Sequence, residues 1–528
     1  MIYRSPHPDI AIPDVTVPSL VFENAAVYGD KPALVDGPTD RTITYNQLVG
    51  LIRRLAAGLT ERGFKKGDCL ALYSPNVPEY PVVFHATASI GGIVTTVNPL
   101  YTAGELHQQL LDSKAKYVVT IPQFLVTAQE AAKDTTVEEV FVFGQAEGAT
   151  PFAALMTSDA APPEVTINPR EDLIALPYSS GTTGLPKGVM LTHRNLVAEC
   201  SVIDVAPDTE FPNYDDVVVA FLPFFHIYGI VAFLNYCLWK GATIITMPRF
   251  DLEQYLGLVQ NHKATYLHIV PPVALAMAKH PIVDKYDVSS ARLALSAAAP
   301  LSETVAQAFM ARMGIPLFQA YGMTEVSGAT HLGATAPDKL KPHSAGRVLP
   351  NTECKVVDLP TGNLMGPGEQ GEIWVRGPLI MKGYLGRPDA TRNTIDEEGW
   401  LRTGDIGYAD EDGDFFIVDR SKELIKYKGL QIAPAELEAV LLAHPAIADA
   451  AVIPVRDEEA GEVPKAFVVR KGDVTAEEVQ AFVAGRVAPH KKVRQVEFVD
   501  AIPKSASGKI LRRVLIEQER AKETPAAV

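Results

Sequence analysis

The feature that most constrains the fold is a repeating alternation. Short apolar, β-branched runs (Cys69–Tyr73, Tyr117–Thr120, Thr243–Met247, Tyr266–Val270) are separated by longer segments of helical spacing such as Leu252–Gln260. Strands covered on both faces read as continuous apolar runs, and parallel neighbours need a crossover long enough to hold a helix. The pattern therefore predicts an α/β chain built from βαβ units, with mostly parallel sheets covered by helices. A chain of 528 residues is too long for one core, so two or more lobes are expected.

A boundary is expected between residues 420 and 421. Residues 421–528 hold 17 Lys+Arg against 16 Asp+Glu, while the whole chain carries −15, so the first 420 residues carry −16. The last segment also reads as self-contained. Pro434 opens the helix AELEAVLLAH, Ala450–Val455 and Ala466–Arg470 read as strands, and Thr475 to Glu478 is a capping box for a further helix. A strand VRQVEFVD and a helix KILRRVLIEQ follow. Domains 1–420 and 421–528 are predicted, the second a small α+β unit on a hinge.

The acidic balance argues against a nucleic-acid groove or an anionic membrane surface as partner. The four cysteines, Cys69, Cys200, Cys237 and Cys354, form no CxxC pair and suggest neither a disulfide framework nor a zinc site. The start, MIYRSPHPDI, lacks the basic-then-apolar pattern of a signal peptide, and the end, ETPAAV, matches no targeting or lipidation signal, so a cytoplasmic location is expected. Val217 to Trp239 runs without a charge, but Pro223, His226, Gly229 and Asn235 interrupt it. A strand followed by a buried helix is expected there, with no stable membrane insertion.

The run most informative about chemistry is YSSGTTGLPKGV at 178–189, directly after the apolar strand Leu173–Leu176. Glycines 181, 184 and 188 allow close backbone approach. Ser179, Ser180, Thr182 and Thr183 supply hydroxyls, and Lys187 supplies a mobile cation. Many short donors and one cation suit an oligophosphate. Pro186 stands where a Walker loop requires glycine, so this is a different phosphate loop. The one GxGxxG, Gly366 to Gly371, precedes a strand and opens no helix, which excludes a dinucleotide reading. Neither GxSxG nor HExxH occurs.

SSGTTGLPKGV resembles the phosphate loop of the acyl- and aryl-CoA synthetases of the adenylate-forming superfamily, most closely the 4-coumarate–CoA ligases. The resemblance spans nearly the whole chain through LPFFHIYG, QAYGMTE, GEIWVRGPLIMKGYLGRP, WLRTGDIGY, DRSKELIKYKGLQIAPAELEA and PKSASGKILRR, in the family's order. It implies a large AMP-binding domain with a small β subdomain and a mobile C-terminal domain. It also implies ATP, Mg²⁺ and coenzyme A: a carboxylate attacks the α-phosphorus to give an acyl adenylate, and a thiol then displaces AMP.

The resemblance assigns roles residue by residue. Ser179, Ser180, Gly181, Thr182, Thr183, Gly184 and Lys187 would bind the phosphates. Thr324 would hydrogen-bond the α-phosphate and Glu325 would hold Mg²⁺, in line with the one or two carboxylates that this hard ion usually takes. Ala298, Gln319 and Ala320 would contact adenine, while Asp405 and Arg420 would hold the ribose. Lys509, carried in on the small domain, would span the α-phosphate and the attacking carboxylate, a point charge on a flexible stem. Lys422 matches the hinge, and Lys426 and Gln431 match positions that assist catalysis. Arg249, Lys428 and Gly429 match coenzyme A contacts.

His226 and Tyr228 match the gate between acyl pocket and thiol tunnel. With Ala232, Ala298, Gly322, Gly328 and Ala329 they would line the acyl pocket. The absence of an acid from Val217–Trp239 argues against an amino-acid substrate, since a buried unpaired ammonium is costly. Gly322, where acetate-specific relatives carry tryptophan, implies room for a ring. Gly328, Ala329 and Ala232 imply a roomier, less polar end than in the plant coumarate enzymes. An aryl acid of the cinnamate or 4-coumarate type is expected. A medium-chain fatty acid, a carrier-protein-loading acyl-AMP ligase, a luciferase-like monooxygenase and a non-catalytic sensor remain as alternatives. PKSASGK, 503–509, also resembles the segment that protein acetyltransferases modify in bacterial relatives, with Lys509 as the acceptor.

Overall fold

The computed structural model describes residues 1–158, 160–179, 186–206, 208–427, 430–457, 460–505 and 508–523. Among the described residues four sheets organise the fold. The first has Ile93–Thr96, Cys69–Tyr73, Ala115–Thr120 and Glu139–Val142 as parallel neighbours, with Leu173–Ala175 beyond Ile93–Thr96. The second runs in parallel from Pro32–Asp36 through Thr243–Thr246, Val217–Ala220, Tyr266–Ile269 and Leu293–Ser296 to Leu317–Met323. It ends on the antiparallel strands Gly328–Leu332 and Arg347–Val348. Burial follows the expected logic: Cys69–Tyr73 and Tyr266–Ile269 are buried at every position.

A third, five-stranded sheet pairs Ile2–Arg4, Glu353–Val357, Gly371–Arg376, Leu401–Ala409 and Phe415–Arg420, all antiparallel. The fourth comprises Ile425–Tyr427, Leu430–Ile432, Ile447–Asp457, Gly461–Arg470 and Gln495–Phe498. It has its own core on both faces. Ala450 and Val452 pack with Leu437, Leu441, Val479 and Val483, while Ala451, Ile453 and Val455 pack with Phe467 and Leu515. That is the two-residue period of a strand dividing its side chains between two layers. Fully burying a leucine such as Leu437 contributes roughly 1.5–3 kcal/mol.

Val217–Trp239 folds as the strand Val217–Ala220 and the helix Ile227–Gly229, which continues as a wide-turn helix over Ile230–Cys237 with every residue of that stretch buried. Among the described residues no helix is long and apolar enough to cross a membrane. The capping box at Thr475 is present, with Thr475 Oγ1 accepting from Glu478 N. The last helix departs from expectation. It runs Arg512–Glu523, because residues 509 and 510 pair elsewhere: Ser505 N donates to Lys509 O at 2.8 Å, and residues 504 and 510 bridge. Asp410, Asp412 and Asp414 all converge on Lys341 Nζ, at 2.6, 2.8 and 2.9 Å. The ammonium sits where a cation would.

Candidate active site

A cavity of 2840 Å³ lies where the C-terminal ends of the parallel strands, the third sheet and the residues after 420 meet. Crevices at the carboxyl ends of parallel strands are the common ligand sites of α/β folds. Ser179, Lys187, His226, Tyr228, Ala232, Ala298, Gln319, Ala320, Gly322, Thr324, Glu325, Gly328, Ala329, Asp405, Arg420, Lys422 and Lys509 all line it. Residues 180–185, the rest of the phosphate loop, lie outside the described residues, as do Lys428 and Gly429.

At one wall Glu325 is held by two hydroxyls. It is the middle residue of the short 3₁₀ turn Thr324–Val326, after the strand Leu317–Met323, and is 6% exposed. Its Oε1 accepts from Ser179 Oγ at 2.8 Å and from Tyr384 OH at 2.9 Å. Ser179 and Lys187 face each other across the antiparallel pair Tyr178–Ser179 and Lys187–Thr192. Lys187 Nζ lies 4.3 Å from the centre of the Tyr384 ring, so the loop cation and the anchored carboxylate share one tyrosine. The sequence reading passed over Tyr384, although its motif KGYLG was in view. This all-oxygen donor set of one oriented carboxylate and nearby hydroxyls, including that of Thr324, fits a hard divalent cation.

Elsewhere on the lining Asp405 and Arg420 are register partners on neighbouring strands. Asp405, 7% exposed, accepts from Tyr321 OH at 2.7 Å, and its Oδ1 lies 3.4 Å from Arg420 Nε. Burial pushes its carboxyl up, and Arg420 and Tyr321 work against that. Both acceptor oxygens are oriented by neighbours, as a ribose diol requires.

Half-buried Lys509 lines the same cavity. Burial, reinforced by the positive Arg420, lowers its pKa to about 8, with Glu423 and Asp405 opposing. His226 caps the helix that follows it, its Nδ1 accepting from Tyr228 N at 3.2 Å. Burial and the nearby Lys509 charge drop its pKa to about 4, so it is neutral at physiological pH. Tyr228 OH meets His268 Nδ1 at 3.1 Å on the pocket wall.

Several expected residues take other parts. Gln319 spends its amide on backbone: Oε1 accepts from Leu301 N, and Nε2 donates to Leu301 O and Pro342 O. It thereby ties down the loop that carries Ala298, whose φ of 73° is left-handed. Gly322 is a close-approach position: a Cβ there would sit 1.8 Å from Gly328 O, so the glycine lets strand Gly328–Leu332 pair and does not open space by itself. Arg249 and Lys426 are exposed and do not line the cavity. Lys426 pairs through its backbone with Gln431, whose side chain lies outside the description.

The family model for the AMP-binding enzyme matches residues 21–385, and that for the AMP-binding enzyme C-terminal domain matches residues 436–509. The chain belongs to the AMP-binding enzyme family. It is 46% identical over 524 residues to 4-coumarate–CoA ligase 1 of Petroselinum crispum, covering 98% of this chain and 96% of that protein. It is 45% identical over 535 residues to 4-coumarate–CoA ligase of Pinus taeda, covering 99% and 98%. Among solved structures it resembles an anthranilate CoA ligase in complex with anthranoyl-AMP (TM-score 0.90, 26% identity, 97% of this chain and 99% of that one). A benzoate CoA ligase from Burkholderia xenovorans LB400 is also similar (TM-score 0.85, 26% identity, 95% and 99%).

Proposed function

We propose that the protein is an ATP-dependent acid–CoA ligase acting on aryl acids of the 4-coumarate or cinnamate type through an acyl-AMP intermediate. The observation that carries this reading is the convergence of Lys509, Asp405, Arg420 and the anchored Glu325 on one cavity. The relatives' activities and the acyl-AMP in a similar structure support it. Lys187 and Lys509 offset the charge of the phosphates, Thr324 hydrogen-bonds to the α-phosphate, and Lys509 draws the substrate carboxylate towards the α-phosphorus. A carboxylate oxygen bonds to that phosphorus as the bond to the β-phosphate oxygen breaks, and pyrophosphate leaves with the electron pair. The thiol sulfur of coenzyme A, losing its proton, then bonds to the acyl carbon, and AMP leaves. Glu325 would hold Mg²⁺, which when bound would supply charge neutralisation at the phosphates.

Residues 421–528 act as a mobile unit turning about Lys422. Lys509 serves the first step, Lys426 and Gln431 assist catalysis, and Lys428 and Gly429, with Arg249 on the large domain, contact coenzyme A in the second. The exposure of Arg249, outside the cavity that Lys509 lines, supports that division. Acetylation of Lys509 would remove the charge needed for adenylation, and the cytoplasm is the compartment we propose. The test is a carboxylic-acid panel assayed with ATP and coenzyme A by mass spectrometry. Aryl-propenoic acids should exceed acetate in kcat/KM by at least roughly 10²-fold, about 2.7 kcal/mol of differential transition-state binding. Comparable turnover of acetate overturns the pocket assignment, and octanoate exceeding every cinnamate moves the substrate class to fatty acids.

A further inference from the structure

Helix His193–Asp204 places one carboxyl in the wall of the acyl pocket. Glu199 is the sole charged residue of its stretch LVAECSVI (196–203) and is 0% exposed. It lines the same cavity as Ile203, Phe211, Val231, Tyr236 and Leu332. Its Oε1 accepts from Ala329 N at 2.5 Å. A Cβ on Gly328 would stand 2.3 Å from that oxygen, so the missing side chain at 328 is the space that the carboxyl fills. Its Oε2 is buried and has no hydrogen-bond partner among the described residues.

We propose that Glu199 determines acyl specificity, donating a hydrogen bond from Oε2 to an oxygen substituent on the ring of the bound acid. Burial raises its pKa well above the usual carboxylate range, with Ala329 N opposing, and a buried carboxyl held by one backbone donor and no cation among the described residues favours the protonated form. Oε1 is committed as an acceptor from Ala329, which leaves the proton on Oε2. A buried hydroxyl without a partner is costly, and a ligand oxygen that accepts from it recovers that cost. The donor sense makes the selectivity sharp. A hydroxyl and a methoxyl both accept, whereas a methyl of similar size does not, and an aromatic amine, whose lone pair is delocalised, accepts poorly. The polarity that alanine removes at 232 is thus returned from another helix.

The inference rests on the aryl-acid reading above, and the test separates the two. Wild-type kcat/KM is measured for cinnamates carrying hydrogen, methyl, amino, hydroxyl or methoxyl at ring position 3 or 4. At one of these positions hydroxyl and methoxyl should each exceed methyl by at least about 10-fold. Glu199→Met should bring that ratio to within about 3-fold of unity while still turning over unsubstituted cinnamate, and Glu199→Gln, which keeps a donor, should retain it. A methyl compound equal to its oxygen counterparts in wild type overturns the proposal without need of a variant, as does an unchanged ratio in Glu199→Met. If no aryl acid is turned over, the function reading fails first and takes this one with it.

Discussion

Gly508 lies against Pro272 across the junction between the last 108 residues and the rest of the chain: a Cβ on Gly508 would sit 3.2 Å from Pro272 Cγ and 3.3 Å from Val270 Cγ2. Its φ is +79°, so the backbone turn that delivers Lys509 uses both the conformational freedom and the small size of glycine. The left-handed strain of an alanine would be present in any arrangement, whereas on the proposed swing the crowding against Pro272 would be confined to this one. Gly508→Ala should therefore slow acyl-AMP formation by about 10-fold, equivalent to about 1.4 kcal/mol against the closed arrangement. Thioester formation from supplied acyl-AMP should change by less than about 3-fold. Quenched assays of the separate half-reactions decide it, and equal loss in both would count against a junction specific to adenylation.

Lys509→Ala should cripple the first half-reaction by roughly 10²–10³, the 3–4 kcal/mol that one charged contact to a developing transition state contributes. The same variant, given synthetic acyl-AMP and coenzyme A, should make thioester near the wild-type rate. Lys422→Pro should do the reverse, because a fixed φ restricts the swing and leaves the adenylation contacts in place. If Lys509→Ala loses both halves equally, the alternating arrangement is wrong.

The lowered pKa of Lys509, about 8, predicts an alkaline limb. The lysine acts as a cation, so kcat/KM for ATP–pyrophosphate exchange should fall as pH rises through about 8 in the free enzyme. Bound phosphates favour the cation, so the limb in kcat should lie higher. Lys509→Arg should remove the limb, since a guanidinium stays charged. His226, lowered to about 4, should add no limb above pH 5. Linkage runs the other way from activity. Because the folded state binds this proton more weakly than the unfolded chain, Lys509 costs stability below about 8, and the cost is relieved as pH rises towards 10.5. A flat kcat/KM profile from pH 7 to 9.5 would contradict the placement of Lys509.

Tyr384→Phe removes one of the two hydroxyls that orient Glu325 while keeping the ring over which Lys187 sits. Neighbours that orient a ligating carboxylate typically matter 10–100-fold in metal affinity. The magnesium concentration giving half-maximal adenylation should rise about 10-fold, with the melting temperature nearly unchanged. An unaltered magnesium dependence would mean that Glu325 does not hold the ion.

Much of this protein is determined by sequence alone. The parallel strands could be read because burial on both faces demands unbroken apolar runs, as in Cys69–Tyr73. The C-terminal unit stood out because its charge balance and its capping box at Thr475 are local properties. The motifs that the resemblance ties to phosphate, ribose and the lysine stood out because each is a run of a few consecutive residues, and Ser179, Asp405 and Lys509 line one cavity. Tertiary structure alone decided what depends on partners distant in the chain. Glu199 and Ala329, 130 positions apart, meet through packing of a helix on a strand, and a single acid in an apolar helix gives no sign of which wall it faces. Gly322 looked like open space until the approach of Gly328 appeared. Tyr384 gained its importance only where Glu325 and Lys187 meet on it. Local sequence encodes periodicity, caps and contiguous motifs. Which groups share a buried wall, and which oxygen is left without a partner, follows only once the chain has closed on itself.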